Sequence, residues 1–138
     1  MNLPLDRILS FKEEPGIMFQ DCFCDIDERF EDIVGVTYHD DLSVETILFA
    51  LPKHEAPYID TKPIHDSQTL LPADKQQEYK ALYPKLENYV FYTVDCIPNN
   101  ELYEVFFSFN KGIVVLHKDI QQKIREEMEK QLSVYKNI

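Results

Sequence analysis

The chain has 138 residues, 44% of them apolar and 28% charged, with 25 acidic against 14 basic side chains and a net charge of −11. That is the size and balance of one ordinary globular domain, able to bury roughly two thirds of its unfolded surface. An acidic surface repels phosphate backbones, which makes this chain alone a poor nucleic-acid binder, and no run of about 18 apolar residues is present to span a bilayer, which excludes a transmembrane helix.

Met1-Asn2-Leu3-Pro4-Leu5-Asp6 offers neither a basic nor an apolar leader region, which predicts a chain without a signal peptide. Three cysteines, an odd number, then point to reduced thiols and a cytoplasmic location. Cys22 and Cys24 form a C-x-C pair, but a structural zinc site needs a full tetrahedral ligand set and Cys96 lies far along the chain in an apolar run. No metal and no cofactor are expected.

Leu3, Leu5, Arg7, Leu9 and Phe11 alternate, which predicts a strand over 3–13 with Arg7 interrupting its apolar face; Glu14-Pro15-Gly16 ends it. Residues 17–24 read as a loop. A helix is expected from Asp25 or Asp27, with Ile26, Phe30, Ile33 and Val34 as its stripe and Gly35 as its stop. Val44–Leu51 is apolar on both faces over its last five residues, as a central strand would be, and Pro52 closes it. A short helix over 54–61 tolerates Pro57 in its first turn. A second strand is expected over 64–71, and 72–87 is polar, with one loosely docked helical turn or two.

Tyr89–Ile97 is dense in β-branched and aromatic residues and predicts a third strand. Pro98-Asn99-Asn100 is a turn whose asparagine can cap the helix that follows, and Leu102, Val105, Phe106 and Phe109 give that helix its apolar face. Ile113–Leu116 reads as a fourth, central strand. In 119–135, Ile120, Ile124, Met128, Leu132 and Tyr135 form the clearest helical stripe of the chain. The expected class is α+β: a ferredoxin-like βαββαβ sheet with an added C-terminal helix and an N-terminal strand and helix arm. The organisation is an arm over 1–42 and the sheet domain over 43–138.

Residues 57–68 bring together His65, Asp66 and Ser67, the side-chain types of a hydrolase triad. In an extended strand Asp66 would face away, and His65 and Ser67 would stand about 6.6 Å apart. A triad needs its base oriented by a carboxylate and bonded to the nucleophile, and the chain has no G-x-S-x-G elbow, so no catalytic residue is expected. The alternative is structural: Pro63 ends the helix by Thr61, and His65, Asp66, Ser67 and Gln68 bond the backbone groups freed there.

This stretch and three others resemble segments of one known family. Tyr58–Gln68 resembles the Y-x-x-T-x-P-L-H-x-S-Q segment in the C-terminal part of WYL-domain proteins. Asn100–Asn110 with Ile113–Leu116 is similar to their N-x-E-L-x-x-x-I-L-x-F-G…V-x-V-L run. Phe30–Thr37 resembles their F-x-D-I-I-G-V-T link, and Leu5-Asp6-Arg7-Ile8 matches the L-D-R-I that ends the WYL core. The resemblance implies a bacterial transcriptional regulator's terminal part, the end of the WYL core plus a ferredoxin-like extension called WCX. It implies self-association into a dimer, with a small-molecule or nucleic-acid effector sensed through the rest of the WYL core. DNA would be bound only through an N-terminal helix-turn-helix absent from this sequence, and no membrane is involved. The chain departs from the pattern in having no Trp-Tyr-Leu motif and no tryptophan, and in placing Asn110 where the family has glycine. It is expected to be a fragment of a regulator or a truncated product. The reading is a non-enzymatic effector-sensing or dimerisation module, with a stand-alone small-molecule-binding domain as the alternative. Candidate ligand-binding residues are Arg7, carried over from the family's effector-contacting arginine, and His65 and Gln68.

Overall fold

A computed structural model describes residues 5–18, 20, 30–109 and 112–137. Its frame is a four-stranded antiparallel sheet in the order β2-β3-β1-β4, with β1 at Glu45–Pro52, β2 at Thr69–Leu70, β3 at Tyr89–Cys96 and β4 at Val114–Val115. The two long strands, β1 and β3, pair along their whole length from Glu45↔Cys96 to Pro52↔Tyr89. Four helices lie wholly within the described residues: α1 (Ala56–Thr61), α2 (Ala73–Leu82), α3 (Asn100–Ser108) and α4 (Lys118–Lys136).

The pleat sorts the paired residues into two faces. Ile47, Phe49 and Leu51 of β1 share one face with Tyr92, Val94 and Cys96 of β3, and all six are buried. Phe49 stacks on its cross-strand partner Tyr92 with ring centroids 5.6 Å apart, and Phe106 of α3 tilts onto Phe49 at 5.4 Å. Ala56 and Ile59 of α1, Leu102 of α3 and Ile120 of α4 close the same cluster. Each fully buried Ile, Leu or Phe contributes about 1.5–3 kcal/mol, so this face carries the stability of the domain. The other face holds Thr46, Leu48 and Ala50 beside Phe91, Thr93 and Asp95, and there Tyr79 of α2 stacks on Phe91 at 5.6 Å.

Several expectations need correction. No strand forms over the described part of 3–13: Leu5–Arg7 is a 3-10 turn and the following residues are irregular. Leu9 and Phe11 are 99% and 95% exposed, so alternation there finds no sheet to join. The second strand is only Thr69–Leu70, because His65–Gln68 is a turn closed by the Gln68 N–H donating to the His65 carbonyl at 3.0 Å. Residues 72–87 contain a full ten-residue helix followed by a 3-10 turn at Pro84–Leu86. The helix expected from Asp25 or Asp27 falls mainly outside the described residues; Phe30 and Glu31 are helical, and Gly35 ends the segment at φ +80°. A Cβ at Gly35 would stand 2.8 Å from the Glu101 side chain, so glycine is required for both conformation and space. Among the described residues, no helix is long and apolar enough to cross a membrane.

Candidate functional site

The corner between α1 and β2 is built by two side chains that stand in for backbone. Pro57 sits in the first turn of α1, where a missing N–H costs nothing, and Lys62 ends the helix by donating its N–H to Tyr58 O at 3.1 Å. Beyond Pro63, the Gln68 side chain spans the corner. Its Oε1 accepts from Ile64 N–H at 3.0 Å and its Nε2 donates to the Ile59 carbonyl at 3.3 Å. Both polar ends of Gln68 are thus spent on holding the end of α1 against the turn. Gln68 shapes this corner from within.

Ser67 does the same toward the sheet. Its Oγ donates to the Asp95 carbonyl at 2.8 Å and accepts from the Asp95 N–H at 2.9 Å, the two bonds a neighbouring strand residue would have made. The turn also brings His65 Nδ1 to 2.8 Å from Ser67 Oγ. The extended geometry expected for this pair is therefore incorrect: a β-turn replaces the 6.6 Å strand spacing with direct contact. The triad is still incomplete. Asp66 is exposed and no bond joins it to His65 among the described residues, while the Ser67 hydroxyl is engaged on both sides by Asp95.

Opposite the turn runs the strap of residues 30–37. The Ile97 N–H donates to the Asp32 carbonyl at 2.7 Å. Asn99, 3% exposed, donates through Nδ2 to the carbonyls of Val34 and Thr37, each at 2.9 Å, and its Oδ1 caps α3 by accepting from Leu102 N–H at 2.9 Å. Thr37 donates its hydroxyl to the Glu101 carboxylate. That bond, joined by the amides of Glu101, Val36 and Thr37, holds the Glu101 carboxyl below its ordinary range against the opposing effect of burial.

Strap and turn face each other across a groove of about 760 Å³ lined by residues 30–35 and 63–67. Both walls are pinned to the end of β3, the turn at Asp95 and the strap at Ile97. The volume lies within the usual range of small-molecule sites. His65 is half-buried in the wall, with its Nδ1 edge turned toward Ser67. No protein-family model, curated protein or solved structure matches the chain.

The three residues singled out from the sequence are not brought together as a set. His65 lines the groove and Gln68 supports it from behind. Arg7 is exposed in its 3-10 turn and is not among the groove's lining residues. Ser67, Asp95 and Asn99 matter more to this site than sequence reasoning allowed; the serine beside a proline-bounded turn was the available signal for the first. Cys22 and Cys24 fall outside the described residues, and among the described residues no cluster of His, Cys, Asp or Glu suits a metal. Cys96 is fully buried between the two pinning residues, and burial pushes its thiol up to about 12.

Proposed function

We propose that this chain is a non-enzymatic regulatory module whose effector sits in the groove between the strap and the His65 turn. The observation that carries the reading is the double use of the Ser67 hydroxyl by Asp95. A nucleophile must release its proton to a base, and here the proton is held by a backbone carbonyl while a lone pair receives a backbone amide. What remains is a groove with fixed walls and one imidazole, which suits recognition.

The antiparallel order β2-β3-β1-β4, with α1 and α3 on one face, supports a ferredoxin-like reading of residues 43–138. That arrangement, with the collinear motifs, favours the terminal part of a WYL-type transcriptional regulator; a stand-alone small-molecule-binding domain is the alternative. A buried, unreactive thiol at Cys96 suits a cytoplasmic protein. Duplex DNA should not bind this chain at micromolar affinity in physiological salt, given its net charge of −11.

A thermal-shift screen of small molecules tests the groove, because a ligand that binds only the folded state raises the melting temperature. A hit whose shift disappears in His65→Ala supports the reading; hits unaffected by changes on either wall count against it. Slow hydrolysis of model esters lost in His65→Ala would restore the enzymatic alternative.

A second observation favours self-association as part of the same role. Met128, Leu132 and Tyr135 continue the stripe of α4 past Ile124 and are 55%, 53% and 76% exposed. Such a contiguous apolar stripe marks an interaction surface. Light scattering of wild type and Leu132→Glu checks this: the substitution converts a dimer to a monomer, and a monomeric wild type removes the idea.

A further inference from the structure

α4 turns its apolar stripe from the core toward solvent as it runs. Ile120, Ile124, Met128 and Leu132 recur every four residues, and on a helix of 3.6 residues per turn that spacing rotates the stripe by about 40° at each step. Ile120 is therefore buried in the core and Ile124 half-buried, while Met128 and Leu132 stand exposed, with Tyr135 on the same side. The stripe also edges a groove of about 620 Å³ between α3 and α4. The apolar lining of this groove is Phe106, Phe107, Phe109 and Ile113 on one side and Ile124 and Met128 on the other.

Charge decides what can cover this face. The chain carries −11, so two copies repel on average, yet α4 holds five basic and four acidic residues and lets two copies approach without that cost. Consider two α4 helices packed antiparallel about a two-fold axis at position 130. Met128 then lies opposite the second copy's Leu132, and Leu132 opposite its Met128. The same register sets Arg125 opposite the second copy's Tyr135, where a guanidinium can lie on the phenol ring, and Glu129 opposite Gln131. No two like charges face each other in this pairing. Lys130, on the axis itself, points away from the stripe, because two residues turn the helix by about 200°.

Antiparallel packing also places the two acidic bodies at opposite ends of a helix pair about 28 Å long, whereas parallel packing would set them side by side. Stable interfaces bury roughly 1,200–2,000 Å² in total. Three exposed side chains from each copy do not reach that by themselves, and the open groove beside α3 supplies further apolar surface for the second copy's last turns to cover.

We propose that the occupant of this face is α4 of a second copy, packed antiparallel with Met128 against Leu132 and Arg125 against Tyr135. The proposal rests on the reading that this chain self-associates, and adds the surface and its register.

The test uses the full chain with Cys22→Ser and Cys24→Ser, leaving only the buried Cys96. Met128→Cys and Leu132→Cys chains are prepared separately, then oxidised mildly alone and as a mixture, and the disulfide products are weighed by mass spectrometry. In the proposed register two Met128 positions are offset by four residues, about 6 Å along the axis, on helices 8–10 Å apart, which is beyond disulfide reach. The mixture should therefore form the mixed disulfide about tenfold faster than either chain forms its own. Arg125→Glu and Tyr135→Lys should each weaken dimerisation about tenfold by light scattering over a dilution series, because each loses the ring contact twice per dimer. The double substitution, which sets opposite charges at the two positions, should restore it. All four positions are exposed, so folding is retained, and unchanged thermal melts of the dilute chains check this. A dimer whose disulfides form fastest between two Met128→Cys chains overturns the proposal and leaves self-association standing. A double variant no tighter than the single ones does the same. A wild-type chain that stays monomeric at every concentration removes both.

Discussion

The Ser67 hydroxyl closes on both backbone groups of Asp95, donating to its carbonyl at 2.8 Å and accepting from its amide at 2.9 Å. One side chain thereby replaces a residue of strand, and the edge of β3 is sealed one step beyond β2, whose pairing stops at Thr69↔Thr93. Edge groups left open are templates for unwanted pairing, so the contact also protects the sheet.

Ser67→Ala should leave both Asp95 groups without these bonds. Losing a partner for a backbone group costs about 1–3 kcal/mol, and the partial exposure of this site places the expected loss at the lower end. Urea unfolding should show it, with faster amide exchange at Asp95 and unchanged exchange at Phe49 under conditions of local opening. Equal stability of the two proteins would mean that water replaces the hydroxyl at no cost.

Gln76 plays the matching part at the other end of β2. Its Nε2 donates to Phe91 O at 2.8 Å and Leu71 O at 3.2 Å, and its Oε1 accepts from Phe91 N–H at 2.9 Å. Gln76→Leu should lose about 1–3 kcal/mol. Gln76→Glu should be worse, because a carboxylate can accept from Phe91 N–H but repels the two carbonyls. Chemical denaturation of the pair ranks them; a glutamate variant as stable as wild type contradicts the amide pairing.

These two side chains explain what the sequence made legible and what it hid. β1, β3 and α3 follow from apolar patterning, because each buries the face that its period defines, and α4 follows from its stripe although only the Ile120 end of it is buried. α2 carries no buried residue, and its docking rests on the Gln76 amide and the Tyr79 ring, which no periodicity announces. β2 is two residues long since Ser67 and Gln76 take over the pairing on either side of it. At 3–13 the opposite occurs: Leu9 and Phe11 alternate as a strand would, yet a strand exists only by pairing, and period alone names no partner. The proline-bounded turn of the site was visible in sequence; the convergence of 30–35 with 63–67 across the end of β3 was not, being set by backbone contacts between distant residues.

The strap should loosen in acid. The Glu101 carboxyl is held below its ordinary range, first by the Thr37 hydroxyl, so the folded state favours the carboxylate. A depressed folded-state value contributes stability that is present above the unfolded value, about 4.3, and is lost as pH falls through the folded one. Denaturant melts between about pH 7 and 3 should therefore show a stability decline, and Thr37→Val should reduce the Glu101 share of it. Identical pH slopes for wild type and Thr37→Val would sever the strap from the acid response.

Cys96 offers an internal reporter on the same region. It is fully buried on the helix-covered face of β3, between Asp95, which pins the turn, and Ile97, which pins the strap. Burial first, with Asp95 and Asp32 adding negative charge nearby, pushes its thiol up to about 12. The thiolate is the reactive form, so the native thiol is protected both by lack of access and by lack of ionisation. In a Cys22→Ser, Cys24→Ser background, iodoacetamide should leave the folded chain unlabelled and modify it promptly in urea. Slow native labelling then measures opening of the β3 end, and a ligand seated between strap and turn should slow it further by binding only the closed form. Rapid labelling of the folded, ligand-free protein would show that the end of β3 opens readily and that the groove lacks fixed walls.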